Sequence, residues 1–343
     1  MTGHRRQQEH LNAAVLEIIR MSTEDGPGIR TTVFFKGCPL KCQWCHNPES
    51  ISPAPELCWV GSRCIGCGTC LEVCARQALD LSDAGLLIDR SRCAACGDCA
   101  EACPGGALEL LGRQWDLAEL TAELLKDRAY YEASGGGVTL SGGEPLMQAD
   151  FAAALLQRLR HEGIHTAVDT CGLCSQNVLE NVLVHAGMVM FDVKIMDPEE
   201  HRRLTGQENS RILENLCRVA ASLQSRLHPA ALWIRTPVIP GATDDPANIS
   251  AIGDFITRHL TGAVDRWDLC AFNNLCRDKY MRLDRDWAYA HTELVTARHM
   301  EALAQTARQS VADPEIVCWS GATRRDSDAA TGEQNNGISC CNT

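Results

Sequence analysis

Residues Gly37–Glu49 read GCPLKCQWCHNPE and hold three cysteines, Cys38, Cys42 and Cys45, spaced C-x3-C-x2-C. A cubic [4Fe–4S] cluster offers four irons, each suited to a soft thiolate. Three close cysteines satisfy three irons and leave the fourth open to a small molecule that can receive an electron. The competing reading is a zinc knuckle, but structural zinc closes four ligands, usually from paired C-x2-C elements. A β-branched and aromatic run, Thr31–Lys36 (TTVFFK), predicts a buried strand that ends at Gly37. The cysteine loop therefore follows the C-terminal end of a strand.

The whole composition agrees with cluster chemistry. A chain of 343 residues with 45% hydrophobic residues can bury a sizeable core in one large or two small domains. A net charge of −12 and a pI of about 5.4 argue against a phosphate-backbone partner. Aromatics are 5% and no basic stripe interleaves them, so no nucleic acid is expected. No apolar run approaches the ~18 residues of a membrane span, and MTGHRRQQEHLN at the start is not a secretory signal. Twenty cysteines clustered in C-x2-C runs fit metal or cluster binding in a reducing cytoplasm better than a disulfide scaffold.

Residues 1–13 read as a mobile tail, and Ala14–Ile19 opens the first strand. Residues 323–343 are polar, end near Cys340-Cys341 and read as disordered. Between them, strand patterns at Gly137–Ser141, His165–Asp169, Val189–Val193, Leu232–Val238 and Trp267–Phe272 alternate with helix patterns. The helices are Asp116–Arg128 with Asp116 as cap, Asp150–Arg160, Gln176–His185, Arg211–Gln224, Pro246–His259 and Thr292–Arg308. Repeated βα units demand an α/β fold with a parallel sheet and right-handed crossovers. The pattern alone does not separate a closed barrel from an open sheet.

Residues 57–112 break this pattern. Cys64-x2-Cys67-x2-Cys70-x3-Cys74 is followed by Cys93-x2-Cys96-x2-Cys99-x3-Cys103-Pro104, an internal repeat with a period of roughly thirty residues. Both halves resemble the two-cluster bacterial ferredoxin spacing, in which the fourth cysteine of each run ligates the other cluster. That resemblance implies one [4Fe–4S] cluster on Cys64, Cys67, Cys70 and Cys103 and a second on Cys93, Cys96, Cys99 and Cys74. Two four-cysteine zinc sites are the alternative. Ile65, Val73, Leu79, Leu87 and Ile88 are the expected apolar wrap, and Cys58 has no place in either quartet.

The C-x3-C-x2-C loop with Trp44 before its last cysteine resembles the radical S-adenosylmethionine (SAM) enzymes. DGPGIRTTVFFKGCP (Asp25–Pro39) and HNPE (His46–Glu49) narrow the resemblance to the activating enzymes of glycyl radical enzymes, and it runs from about Leu16 to about Trp319. The resemblance implies an oxidoreductase on an incomplete (β/α)6 radical SAM barrel, residues 14–56 and 113–322, with a ferredoxin-like two-cluster insert at 57–112. It implies a SAM-binding cluster on Cys38, Cys42 and Cys45, three [4Fe–4S] clusters in all, and SAM as cosubstrate. SAM would be cleaved to a 5′-deoxyadenosyl radical that takes a hydrogen from a backbone glycine of a partner glycyl radical enzyme. A flavodoxin or ferredoxin would donate the electron, the insert would relay it or dock the partner, and the chain would work as a cytoplasmic monomer.

Particular residues follow from the same resemblance. Ser141-Gly142-Gly143-Glu144-Pro145 is similar to the motif that receives the SAM ammonium, through backbone carbonyls and Glu144. Asp169-Thr-Cys-Gly172 and Met190-Phe-Asp-Val-Lys194 are similar to two further strand-end motifs. They imply Trp44, Asp169, Asp192 and Lys194 about SAM, with Lys194 on its carboxylate, and a monovalent cation among Asp169, Thr170, Met190 and Asp192. Arg235 would meet the SAM carboxylate or the target peptide, and Asp25 the target peptide. Many relatives carry histidine near the position of Asn273, so no contact is assigned there. The following NNLCRDKY stretch is left without a role. A ferredoxin-type electron-transfer protein would explain the insert but not Cys38, Cys42, Cys45, SGGEP or MFDVK. A radical SAM enzyme acting on a small molecule or another peptide is the nearer alternative.

Overall fold

The computed structural model describes residues 11–225 and 229–325. The strands are β1 (Asn12–Ser22), β2 (Arg30–Phe35), β3 (Glu56–Trp59), β4 (Leu79–Ser82), β5 (Gly85–Ile88), β6 (Leu108–Leu111), β7 (Arg113–Asp116), β8 (Gly137–Gly142), β9 (His165–Thr170), β10 (Met188–Asp192), β11 (Ala231–Val238), β12 (Arg266–Ala271) and β13 (Val317–Ser320). Nine of them form one open sheet in the order β13-β12-β11-β10-β9-β8-β2-β1-β7. From β2 to β13 every pairing is parallel, whereas β1 pairs antiparallel with both β2 and β7.

Strand side chains alternate between faces. On one face Val33, Leu140, Val168, Phe191, Ile234 and Leu269 pack against helices 149–161, 176–183, 210–224, 246–259 and 297–310 as the main core. On the other face, at the C-terminal strand ends, Phe34, Ser141, Asp169, Asp192, Arg235, Cys270 and Ser320 all line one cavity. In a flat sheet β2 and β13 would stand roughly 29 Å apart at about 4.8 Å per strand. Both border the same cavity of about 490 Å³, so the sheet curls about it.

Several boundaries differ from the sequence reading. Asn12 and Ala13 already belong to β1 rather than to a tail, because they pair with Asp116 and Trp115 of β7. Residues 1–10 lie outside the described residues. The helix capped by Asp116 ends at Leu125 and a second runs Arg128–Ser134. Between them Asp127 is drawn to the sheet by Thr31 Oγ1 at 2.8 Å and by Arg20. The last long helix starts at Ala297, not Thr292, because the Thr296 hydroxyl caps the His299 amide at 3.1 Å. β7, β13 and the helices Pro198–Thr205 and Arg277–Arg282 had no counterpart in the sequence reading. With β13 the parallel strands number one more than six. Arg324 bonds the Val295 carbonyl at 2.9 Å, so the chain is engaged past residue 323. Residues 326–343, with Cys340 and Cys341, lie outside the described residues.

Residues 56–111 fold on their own small sheets, β3 with β6 and β4 with β5, both antiparallel. Their core is Leu57, Leu79, Leu86, Cys99 and Leu108. The expected apolar wrap is corrected here: Ile65 is 70%, Leu87 57% and Val73 37% exposed. In the β4–β5 hairpin Leu86 points in, so its neighbour Leu87 must point out. Lys36, fully enclosed, ties β3 to the large sheet through Glu56 at 3.3 Å and holds the Glu49 carbonyl at 2.8 Å. Among the described residues no helix is long and apolar enough to cross a membrane.

Candidate active site

The cysteine loop leaves β2 and closes on itself at its neck. The Gly37 amide donates to the Ser50 carbonyl at 2.7 Å and the Cys38 amide to the Ile51 carbonyl at 3.1 Å. Its outer arc is pinned to helix 198–205, Lys41 to the Thr205 carbonyl at 2.7 Å and Gln43 to the Leu204 carbonyl at 3.0 Å. Trp44 packs into an apolar cluster with Ile195, Leu204 and Phe272. This turns Cys38, Cys42 and Cys45 together into the cavity. Burial pushes each thiol up to about 12, a penalty that a bound iron reverses because a coordinating thiol is deprotonated outright.

The glycines of SGGEP serve this loop. Gly142 has φ +106, and a Cβ there would lie 2.4 Å from the Phe35 amide nitrogen. A Cβ on Gly143 would lie 2.2 Å from the Gly37 carbonyl oxygen and 2.7 Å from that of Ser50. Gly143 therefore lets both ends of the cysteine loop cross directly over β8. Gly143→Ala must force the neck apart, and small-to-large changes in packed sites cost about 1–3 kcal/mol. The variant is expected to fold and to lose iron from the cysteine loop to a chelator several-fold faster than the parent, measured by iron release.

Glu144 needs correction. Its carboxylate does not line the cavity; it is fully enclosed and accepts bonds from the Leu146 amide at 3.0 Å, the Thr170 hydroxyl at 2.7 Å and the Cys171 amide at 2.8 Å. Burial raises its pKa against those bonds. It braces the ends of β8 and β9, while Gly142 and Gly143 stand on the cavity wall.

Adjacent strand ends supply four charges to the wall. Lys194 lies 2.5 Å from Asp192, and Arg235, in register with Asp192, lies 3.5 Å from Asp169. Burial pulls Lys194 down, but Asp192 and Cys42 hold it above the usual lysine range. Burial pushes Asp169 up to about 6, with Arg235 opposing and Asp192 adding to the rise. Ser141 donates to one Asp169 oxygen at 2.7 Å, while the other is buried without a partner. Thr170 lines the cavity but its hydroxyl is spent on Glu144. The Met190 side chain sits with Ala167 and Met188 inside the sheet, so only its backbone can serve a cation. Among the described residues no three His, Cys, Asp or Glu side chains are placed to hold a single metal ion.

Asp25 stands on the cavity wall, oriented by the Ser22 hydroxyl at 2.6 Å and the Thr32 hydroxyl at 2.7 Å. Asn273, Cys171, Cys270 and His46 also face the cavity; His46 Nε2 is buried without a partner. The sequence pattern assigns a role to neither His46 nor Cys270. Within residues 56–111, Cys64, Cys67, Cys70 and Cys103 line one small cavity. Burial and then the neighbouring Cys74 and Cys93, with Cys96 behind them, push Cys99 up to about 11. Cys58 is buried on β3 with its sulfur 4.0 Å from Glu109, apart from both groups.

Three thiols, two cations and a buried carboxylate oxygen in need of a donor in one cavity fit an iron–sulfur cluster and a zwitterionic amino-acid ligand. Residues 24–213 match the family model of the 4Fe-4S single cluster domain. The chain is 37% identical over 299 residues to the (2S)-3-sulfopropanediol dehydratase activating enzyme of Klebsiella oxytoca, covering 85% of this chain and 92% of the relative. It is 43% identical over 274 residues to the isethionate sulfite-lyase activating enzyme of Oleidesulfovibrio alaskensis, covering 78% and 86%. It is 39% identical over 285 residues to the benzylsuccinate synthase activating enzyme of Thauera aromatica, covering 81% and 84%. These relatives share an activating role and differ in the enzyme activated. The chain belongs to the radical SAM activating enzymes of glycyl radical enzymes.

Proposed function

We propose that this chain cleaves SAM reductively and takes one hydrogen atom from a backbone glycine of a partner glycyl radical enzyme. One observation carries the reading: Cys38, Cys42 and Cys45 open onto the same cavity as Asp169, Asp192, Lys194 and Arg235. When bound, the cluster and SAM supply one electron and the 5′-deoxyadenosyl radical. Cys38, Cys42 and Cys45 would hold the cluster as thiolates and leave it open to the SAM amino and carboxylate groups. Lys194 orients the carboxylate through a charge-assisted bond. The Gly142 and Gly143 carbonyls would accept from the N–H groups of that amino nitrogen, and Trp44 backs the loop beneath it. Asp25 and Arg235 meet the glycine-bearing peptide, whose lack of a side chain admits the close approach. The cavity wall orients the reactants and excludes water.

The curled sheet is an incomplete barrel of residues 12–55 and 112–325, and residues 56–111 are a ferredoxin-like insert. Cys64, Cys67, Cys70 and Cys103 hold one [4Fe–4S] cluster, and Cys74, Cys93, Cys96 and Cys99 a second, so the loaded protein carries three. A monovalent cation is placed beside Asp169, Thr170, Asp192 and the Met190 backbone, supported by the unpartnered Asp169 oxygen. A flavodoxin or ferredoxin donates the electron, and the chain acts as a monomer in the cytoplasm. SAM cleavage by the reduced, iron-loaded protein tests the reading. 5′-Deoxyadenosine is the expected product; none from a fully loaded protein would favour an electron carrier instead.

A further inference from the structure

The stretch NNLCRDKY, Asn273–Tyr280, has no part in the chemistry above. It and the residues as far as Trp287 cross the back of the cysteine loop. The Tyr280 hydroxyl donates to the Cys45 carbonyl at 2.9 Å, and the Cys276 thiol lies 3.8 Å from the same oxygen. Trp287 Nε1 donates to the Gln43 carbonyl at 3.1 Å, and Arg285 to the Pro48 carbonyl at 2.9 Å. Lys279 reaches the Asn47 amide oxygen at 2.9 Å and the Glu49 carboxylate at 2.8 Å. The Tyr280 and Trp287 rings stack with centroids 5.1 Å apart and planes 12° from parallel. Both are buried, so the hydroxyl and the indole N–H are aimed by one rigid pair.

The loop's other backbone tethers lie at its neck, at Lys41 and Gln43, and at its far end, where Lys36 donates to the Glu49 carbonyl at 2.8 Å. Beyond Gln43 its internal bonds are single turns, such as Cys45 to the Cys42 carbonyl and Ser50 to the Asn47 carbonyl. A loop with so few fixed partners between Gln43 and Glu49 opens locally at low free energy, and a binding-competent state that is less populated lowers the apparent affinity in proportion. We propose that residues 276–287 are a bracket that fixes Gln43–Glu49, with Tyr280 and Trp287 as positioning residues that set where the open iron meets SAM. The functional half of this inference rests on the radical SAM reading above.

The test uses reconstituted full-length protein carrying Tyr280→Phe or Trp287→Phe. Each substitution keeps an aromatic ring in the stack and removes one donor. Losing one bond of about 1–1.5 kcal/mol corresponds to roughly tenfold in an opening equilibrium. Amide exchange over Gln43–Glu49 should therefore rise about tenfold, while that of helix 297–310 stays within about twofold. KM for SAM should rise about fivefold with kcat nearly unchanged, the mark of lost binding geometry. The electron paramagnetic resonance signal of the SAM-bound cluster should shift while the insert signals do not. The bracket is rejected if loop exchange is unchanged in both variants, if exchange rises equally in helix 297–310, or if KM does not move. Should the parent cleave no SAM, the exchange arm still decides the bracket while the functional reading fails separately.

Discussion

Lys194→Met should lower kcat/KM for SAM cleavage by about two to three orders of magnitude. Lys194 is buried and pairs with Asp192 at 2.5 Å. Truncating one partner of a hydrogen-bonded charge pair between a site and its ligand costs roughly 2–5 kcal/mol of binding, and each 1.36 kcal/mol is tenfold. Asp192 would then add to the negative charge already beside Asp169, with only Arg235 to offset both. A SAM carboxylate entering that wall would meet net repulsion. The loss should fall mainly on KM, since the carboxylate is held equally before and during bond cleavage. Lys194→Arg keeps the charge and should recover part of the loss. Initial rates against SAM concentration decide it; a Met variant within tenfold of the parent would remove Lys194 from the SAM site.

Glu144→Ala should destabilise the protein by about 3–4 kcal/mol, as three enclosed donors lose their acceptor and each orphaned group costs roughly 1–3 kcal/mol, short of full additivity. The Leu146 amide, the Thr170 hydroxyl and the Cys171 amide all depend on this one carboxylate. Glu144→Gln keeps one acceptor oxygen and the volume, and should fall between Ala and the parent. Urea unfolding midpoints measured anaerobically on loaded protein check the order. Equal stability of the Ala variant and the parent would show that Glu144 is no brace.

Glu144 also marks where sequence reading stops. Its place after two glycines at a strand end drew it to the ligand, but neighbouring residues at a strand end point in different directions. Asp169, Asp192 and Arg235 were legible because successive strands in parallel register bring their ends to one wall. The cysteine loop was legible because thiolate chemistry fixes its spacing. The helix 198–205 carried a readable signal that went unused: Asp197 caps the Glu200 amide, Pro198 opens the helix, and Gly206 ends it at φ +84. Leu86 rather than Leu87 fills the insert core because strand alternation chooses one of two adjacent leucines, and only the fold says which. The Tyr280–Trp287 bracket had no local signature. Its contacts with Gln43 and Cys45 span more than 200 residues of chain, and side-chain bonds to distant carbonyls leave no periodicity behind.

The most direct measurement is 5′-deoxyadenosine formed anaerobically from SAM by dithionite-reduced protein, run beside a variant with Cys38, Cys42 and Cys45 all changed to Ala. The three proposed four-iron clusters require roughly twelve irons in the parent, and the variant should retain about eight, those proposed for the two cysteine quartets. Product from the parent and none from the variant is the predicted result, and it places the chemistry at Gly37–Glu49. Product from both, or none from a parent with its full iron, would contradict it.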